Sequence, residues 1–156
     1  MAIEIERKFL VTGDAWRAAP GTRYSQGYLN RDKARTVRVR IAGDQGFLTI
    51  KGVSVGATRA EFEYPVPLAD AQEMLSLCDG PVVQKTRHRV VHDGLAWEVD
   101  AFLGDNAGLV VAEIELASEN QAFALPDWVG REVTGDPRYF NSSLAVHPFS
   151  AWGPGG

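Results

Sequence analysis

The chain has 156 residues, 45% apolar and 23% charged, the make-up of one soluble globular domain with a substantial core. Its net charge of −4 argues against a general nucleic-acid binder, and no apolar run approaches the ~18 residues of a membrane span. The one cysteine, Cys78, excludes an internal disulfide and fits a reducing, cytoplasmic setting.

Residues 3–11 alternate, with Ile3, Ile5 and Phe9 on one strand face and Glu4, Glu6 and Lys8 on the other. Those early charges, with Arg7, also argue against a signal peptide. Thr12-Gly13-Asp14 breaks the strand, and a short helical turn over 14–18 precedes Pro20-Gly21. A strand at 23–30 aligns Tyr24, Gln26 and Tyr28. Residues 35–42 set Val37, Val39 and Ile41 against Arg38 and Arg40. Gly43-Asp44-Gln45-Gly46 turns the chain into 47–52, where Thr49 and Lys51 oppose Leu48 and Ile50. A strand at 59–65 carries Glu61 and Glu63 opposite Phe62 and Tyr64.

Residues 67–77 change period. Leu68, Ala71, Met74, Leu75 and Cys78 recur at three and four, which predicts an amphipathic helix stopped by Asp79-Gly80-Pro81. In that pattern Cys78 is a small buried hydrophobe, not a nucleophile. Strands resume at 82–92, with Lys85, Arg87 and Arg89 on one face. Asp93-Gly94 turns into 95–103, where Glu98 and Asp100 oppose Trp97 and Val99, and 109–117 sets Glu113 and Glu115 against Ile114 and Leu116. From Ser118 onward the pattern reads as loop and short helix, with helix starts at Pro126-Asp127-Trp128 and Asp136-Pro137. The expected organisation is a single domain over 1–150 and a disordered tail over 151–156. Eight strands with hairpin-length connections imply a mainly antiparallel β fold with a few helices.

Four acidic doublets stand out, Glu4/Glu6, Glu61/Glu63, Glu98/Asp100 and Glu113/Glu115, beside two basic sets, Arg38/Arg40 and Lys85/Arg87/Arg89. The plain reading is a β-sandwich with apolar inner faces and a solvated, charged exterior. A surface made only for solubility mixes its signs, however, because like charges two apart on a strand repel without benefit. Sorting by strand suits a closed barrel with the charged faces inward, and about eight strands leave room for one small ligand. Carboxylates there would hold hard divalent cations, and arginines and lysines would clamp phosphate oxygens. A metal-bound polyphosphate needs both.

Glu4-Ile5-Glu6-Arg7-Lys8 resembles the N-terminal Glu-x-Glu-x-Lys signature of the CYTH superfamily, the triphosphate tunnel metalloenzymes. Gln26-Gly27-Tyr28-Leu29, Arg38-Val39-Arg40, Leu48-Thr49-Ile50-Lys51 and Glu61-Phe62-Glu63 follow in that family's order. So do Lys85-Thr86-Arg87, Trp97-Glu98-Val99-Asp100, Ala112-Glu113-Ile114-Glu115 and the tail at 132–141. The resemblance covers nearly the whole chain and matches a short, stand-alone bacterial-type member. It implies an eight-stranded closed β-barrel, Mg2+ or Mn2+ as cofactor, and hydrolysis of inorganic tripolyphosphate to pyrophosphate and phosphate.

By position, the resemblance implies that Lys8, Arg38, Arg40, Lys51, Lys85 and Arg87 hold the phosphate chain, although Arg87 stands where a lysine is also expected. Glu61, Glu63, Glu113 and Glu115 become the metal ligands, with Glu98 and Asp100 left open. Glu4 and Glu6, beside Lys8, would place a second metal or the attacking water. Alternatives on the same tunnel are a class IV-type adenylyl cyclase or a thiamine triphosphatase; in another class stands a non-catalytic polyphosphate- or nucleotide-binding module. The expected partner is a small-molecule triphosphate, not nucleic acid or a membrane, and a homodimer stays open.

His88 and His92 read as structural, since hard cations prefer oxygen ligands. Of the four tryptophans, only Trp16 is expected near a tunnel mouth; Tyr28 either packs within its strand or sits at a mouth. No phosphate-binding glycine loop is present in the sequence.

Overall fold

A computed structural model describes residues 3–152. Nine strands run in chain order: β1 (Ile3–Val11), β2 (Gly21–Asn30), β3 (Arg35–Ala42), β4 (Gln45–Gly52) and β5 (Thr58–Val66), then β6 (Val83–His92), β7 (Leu95–Phe102), β8 (Val110–Glu115) and β9 (Val129–Glu132). Helix α1 (Leu68–Ser76) separates β5 from β6, and the short helix α2 (Asn141–Leu144) lies in the tail. Every strand pairing is antiparallel. The order β5-β4-β3-β2-β6-β7-β8-β1 closes on itself where Ile3, Glu4 and Ile5 pair with Ala60, Arg59 and Thr58. The result is a closed eight-stranded barrel.

The ninth strand was not expected. The sequence pattern predicts loop and short helix over residues 129–132, whereas Pro126-Asp127-Trp128 leads into a turn and then β9. Four residues are too few to show alternation. What makes them a strand is the edge of β1 beyond its pairing with β5, where Phe9 pairs with Glu132 and Val11 with Val129. Thr12 N–H donates to the Trp128 carbonyl at 2.8 Å, and Val133 N–H to the Lys8 carbonyl at 2.8 Å, so the covered edge has no bare backbone groups there.

The apolar cores lie outside the barrel and at one of its ends. Phe9, Trp97, Val99, Ala112 and Ile114 point outward from β1, β7 and β8 and are covered by Trp16, Leu116, Phe123 and Trp128. At the end where β2 and β7 finish and β6 and β8 begin, Tyr28, Val83, Phe102 and Val111 pack against Val133, Tyr139 and Leu144 of the tail. The alternation therefore works in reverse of a sandwich: apolar faces meet loops and tail, and charged faces meet each other. Trp16 belongs to the outer core, 4% exposed, with its ring edge-on to His88 at 4.9 Å. It is not at a tunnel mouth. His88 is structural here, its Nδ1 donating to the Ala19 carbonyl at 2.8 Å.

Helix α1 packs across β2, β3 and β4 at glycines. A Cβ at Gly27 would lie 2.8 Å from Cys78 Sγ, and one at Gly46 2.7 Å from the Ala71 Cβ. Gly27→Ala forces the helix off the sheet and is expected to cost about 1–3 kcal/mol, the usual penalty of overpacking. A lowered urea midpoint with an unchanged m-value would register it; an unchanged midpoint would mean the helix is not seated there.

In the tail, Asp136 accepts from Arg138 N–H and starts a 3-10 turn at Pro137, as its sequence suggests. Within the tail expected to be disordered, the exposed Ala151 closes a 3-10 turn, and the half-buried Trp152 sets its ring edge-on to Tyr139 at 5.2 Å. The rest of that expected tail, 153–156, lies outside the described residues. No helix among the described residues is long and apolar enough to cross a membrane.

Candidate active site

The barrel encloses a cavity of about 260 Å³ lined almost wholly by polar side chains. Around its wall the strands divide by sign. One arc, β5-β1-β8-β7, contributes Glu61 and Glu63, Glu4 and Glu6, Glu113 and Glu115, and Glu98. The opposite arc, β4-β3-β2-β6, contributes Lys51, Arg38, Arg40 and Arg87, with Tyr24 and Tyr28 of β2 between them. Lys8 and Arg59 are the cations placed within the acidic arc. The doublets spaced two apart in sequence thus become two facing walls.

Acid and base meet at the seams where the two arcs adjoin, β4 beside β5 and β6 beside β7. Lys51 Nζ lies 3.0 Å from Glu4 and 3.4 Å from Glu61, and Arg59 lies 3.3 Å from Glu4. Arg38 is 3.5 Å from Glu63, and Arg87 is 3.1 Å from Glu98 and 3.6 Å from Glu113. Where carboxylates crowd each other, the proton answers. Burial, then the Glu113 and Glu4 charges, push Glu6 well above the ordinary carboxylate range. Burial and the neighbouring Glu4 raise Glu61 to about 7. Burial also acts to raise Glu113, but the Lys8 and Arg87 charges overcome it and hold it well below the usual value. Glu4 is likewise held low against its own burial by Lys51 and Arg59. Glu4/Glu61 and Glu6/Glu113 are therefore close carboxyl pairs, one ionised and one inclined to keep its proton.

The basic arc is strained in the opposite sense. Arg40 falls to about 10, chiefly by burial and then by the Arg38 and Arg87 charges. Its Nε donates to Gln26 Oε1 at 2.9 Å, and the Tyr24 ring is shared by Arg40 and Arg87, each guanidinium 4.9 Å from its centre. The sequence places Tyr24 and Gln26 on one strand face, and Gln26 in a segment that carries the family resemblance; their service to the arginines becomes visible once β2 is flanked by β3 and β6.

Two expected residues lie behind the wall. Lys85 is fully buried, donating to Asp100 at 2.7 Å and to Asn141 Oδ1 at 3.1 Å, and it does not line the cavity. Asp100 is also fully buried and accepts from Arg87 Nε at 2.7 Å and Nη2 at 2.8 Å. Burial would raise Asp100, but Arg87 and Lys85 lower it instead. Arg89, on the same strand face as Lys85 and Arg87, is exposed and outside the cavity. Conversely Arg59, Phe140, Asn141 and Ser142 line the cavity without having been expected there. The last three come from the tail, whose pattern reads only as loop and short helix until α2 docks on the barrel.

The donor set is all oxygen, which suits a hard divalent cation. Among the described residues no group of three acidic or imidazole side chains forms a ready metal cage. Paired carboxylates fit Mg2+ nevertheless, because that ion is commonly held by one or two carboxylates together with substrate phosphates.

A charged antiparallel tunnel of this kind defines a class, and sequence comparison agrees with it: the CYTH domain model matches residues 2–145. The chain belongs to the CYTH domain family. A protein of Acetivibrio thermocellus named inorganic triphosphatase is 54% identical over 151 residues, covering 96% of this chain and 97% of that protein. A Nitrosomonas europaea protein of the same name is 36% identical over 92% of this chain and 97% of its own. The crystal structure of an inorganic triphosphatase superposes with a TM-score of 0.66 at 34% identity, covering 91% of this chain and 97% of the other.

Proposed function

We propose that the protein is a metal-dependent inorganic triphosphatase that hydrolyses tripolyphosphate to pyrophosphate and phosphate. The observation that carries this reading is the arc of Arg38, Arg40, Lys51 and Arg87 facing an arc of carboxylates inside one closed tunnel. The names of the two relatives support it.

The phosphate chain binds along the basic arc and Lys8, taking over cations that otherwise pair with the carboxylates. Lys85 acts from behind, through Asp100 and Arg87. Glu61, Glu63, Glu113 and Glu115 are then free to hold Mg2+ or Mn2+, and Glu4 and Glu6 orient the attacking water. The bound cation supplies neutralisation of phosphate charge and polarisation of the phosphoryl oxygens. Water oxygen bonds to a terminal phosphorus, and the bond from that phosphorus to the bridging oxygen breaks. Pyrophosphate leaves with the electron pair, and the water's proton passes to a neighbouring carboxylate or solvent. The guanidiniums of Arg38, Arg40 and Arg87 balance the charge that builds on the leaving group. Residues 1–150 work as one tunnel domain, and the single Cys78 fits a cytoplasmic setting.

The test is a substrate panel with Mg2+ or Mn2+ supplied. Phosphate release from tripolyphosphate should exceed that from ATP and thiamine triphosphate several-fold. Cyclic AMP formed from ATP with tripolyphosphate inert would identify a cyclase, and tight binding of tripolyphosphate without turnover would identify a binding module.

A further inference from the structure

The charged cavity is not the largest space in the molecule. A second chamber of about 600 Å³ lies against it, bounded by Lys33, the 53–57 connection, and residues 134–142 of the tail. Thr36, Arg59, Phe140 and Ser142 line both spaces, so they form the partition between them. Thr36 and Ser142 are small, and Arg59 is tied to Glu4 at 3.3 Å. Phe140 supplies the partition's only bulky apolar side chain.

Phe140 is held firmly in that place. Three cations surround its ring, Lys33 Nζ at 5.7 Å and Lys8 Nζ and the Arg59 guanidinium at 5.9 Å each. Its chain neighbours are anchored too: the Tyr139 carbonyl accepts from Lys8 Nζ at 3.2 Å, and Asn141 Oδ1 accepts from Gln26 at 2.9 Å and from Lys85. In the chamber beyond, the two acids are already engaged. Glu132 accepts from Arg7 and Thr134, and Glu119 accepts from the Ala57 N–H. Lys33 has no ion pair among the described residues and stands on the chamber side of the ring. A mostly apolar space with Lys33 and Arg59 at its edge thus continues the tunnel, and beside the Phe140 ring the passage between the two narrows to about 40 Å³.

We propose that Phe140 is the chain-length stop of the tunnel. It sets the preference for a triphosphate over longer linear polyphosphates, and the chamber behind it, with Lys33 and Arg59, receives a further phosphoryl unit once the ring is removed. This rests on the triphosphatase reading above. With tetrapolyphosphate the chemistry is the same one unit longer. Water oxygen bonds to a terminal phosphorus, the bond to the bridging oxygen breaks, tripolyphosphate leaves with the electron pair, and the water's proton goes to solvent or a carboxylate.

The experiment compares phosphate release from tripolyphosphate and tetrapolyphosphate by the full-length wild type, Phe140→Ala and Phe140→Leu. The tetra-to-tri ratio of kcat/KM should rise about tenfold or more in Phe140→Ala. Phe140→Leu keeps the bulk without the ring and should keep the wild-type ratio, and adding Lys33→Ala to Phe140→Ala should remove the gain. Circular dichroism checks folding; should Phe140→Ala not fold, Phe140→Val carries the same comparison. An unchanged ratio in a folded truncation, or an equal rise in Phe140→Leu, would overturn the proposal while leaving the triphosphatase reading intact. A wild type inert on tripolyphosphate would overturn both.

Discussion

Glu113→Ala is expected to lower tripolyphosphate turnover by roughly 10²–10³-fold, the scale of losing one charge-stabilising group at a transition state. Excess chelator should abolish turnover by the wild type altogether. Glu113 is the carboxylate most strongly kept ionised in the cavity, by Lys8 and Arg87 against its own burial. It also sits opposite Lys8 in the β1–β8 register and beside Glu6, which tends to keep its proton. An ionised carboxylate next to a protonated one, flanked by cations that a phosphate chain would draw away, is where added positive charge is most favourable. Glu113→Gln keeps the shape and the hydrogen bonding but not the charge. It should therefore lose nearly as much activity as Glu113→Ala while staying closer to the wild type in stability. Full activity in excess chelator would remove the metal from the mechanism, and an unaffected Glu113→Gln would remove Glu113 from its ligands.

The charge pattern of this site was written plainly in the chain because a strand has period two. Once the barrel closes, Glu4/Glu6, Glu61/Glu63 and Glu113/Glu115 must share an interior with Arg38/Arg40, and the parity alone says so. Depth along the strand is a different matter. Lys85 and Arg87 share a face, yet Lys85 sits behind the wall and Arg87 in it. Their difference comes from Phe102, Lys85's partner across β6–β7, and from Asn141, which caps Lys85 from the tail. No local pattern records either. The same holds for β9, which exists because β1 has an uncovered edge, and for Phe140, whose place is set by docking of the tail. Trp16 misled for a related reason: a tryptophan beside a loop looks exposed until the outer core that covers it is assembled.

The largest effect on stability is expected from Asp100. Its carboxylate is completely buried and carries both Lys85, at 2.7 Å, and Arg87, at 2.7 and 2.8 Å. Asp100→Ala leaves Arg87 without its bidentate partner and leaves Lys85, already lowered to about 7 by burial, to stay charged or shed its proton with no carboxylate beside it. Breaking a buried pair in this way costs about 3–5 kcal/mol, whereas an exposed pair such as Arg7–Glu132 is worth about 0–1 kcal/mol. Asp100→Asn keeps one acceptor oxygen and should fall between wild type and Asp100→Ala. The loss should depend on pH in a defined direction. Arg87 and Lys85 hold the folded-state carboxyl below its ordinary value. Its stabilising share is therefore complete above the unfolded value of about 3.9 and disappears as pH falls through the lower folded one. Burial holds Lys85 down to about 7 even beside Asp100, so the gap in urea midpoint between wild type and Asp100→Asn should widen as pH falls through neutral and Lys85 takes its proton next to the carboxylate, then close at acid pH as the wild-type carboxyl protonates. A gap absent at neutral pH would mean that Lys85 and Arg87 do not depend on Asp100, and the buried pair would then be no support for the basic wall of the tunnel.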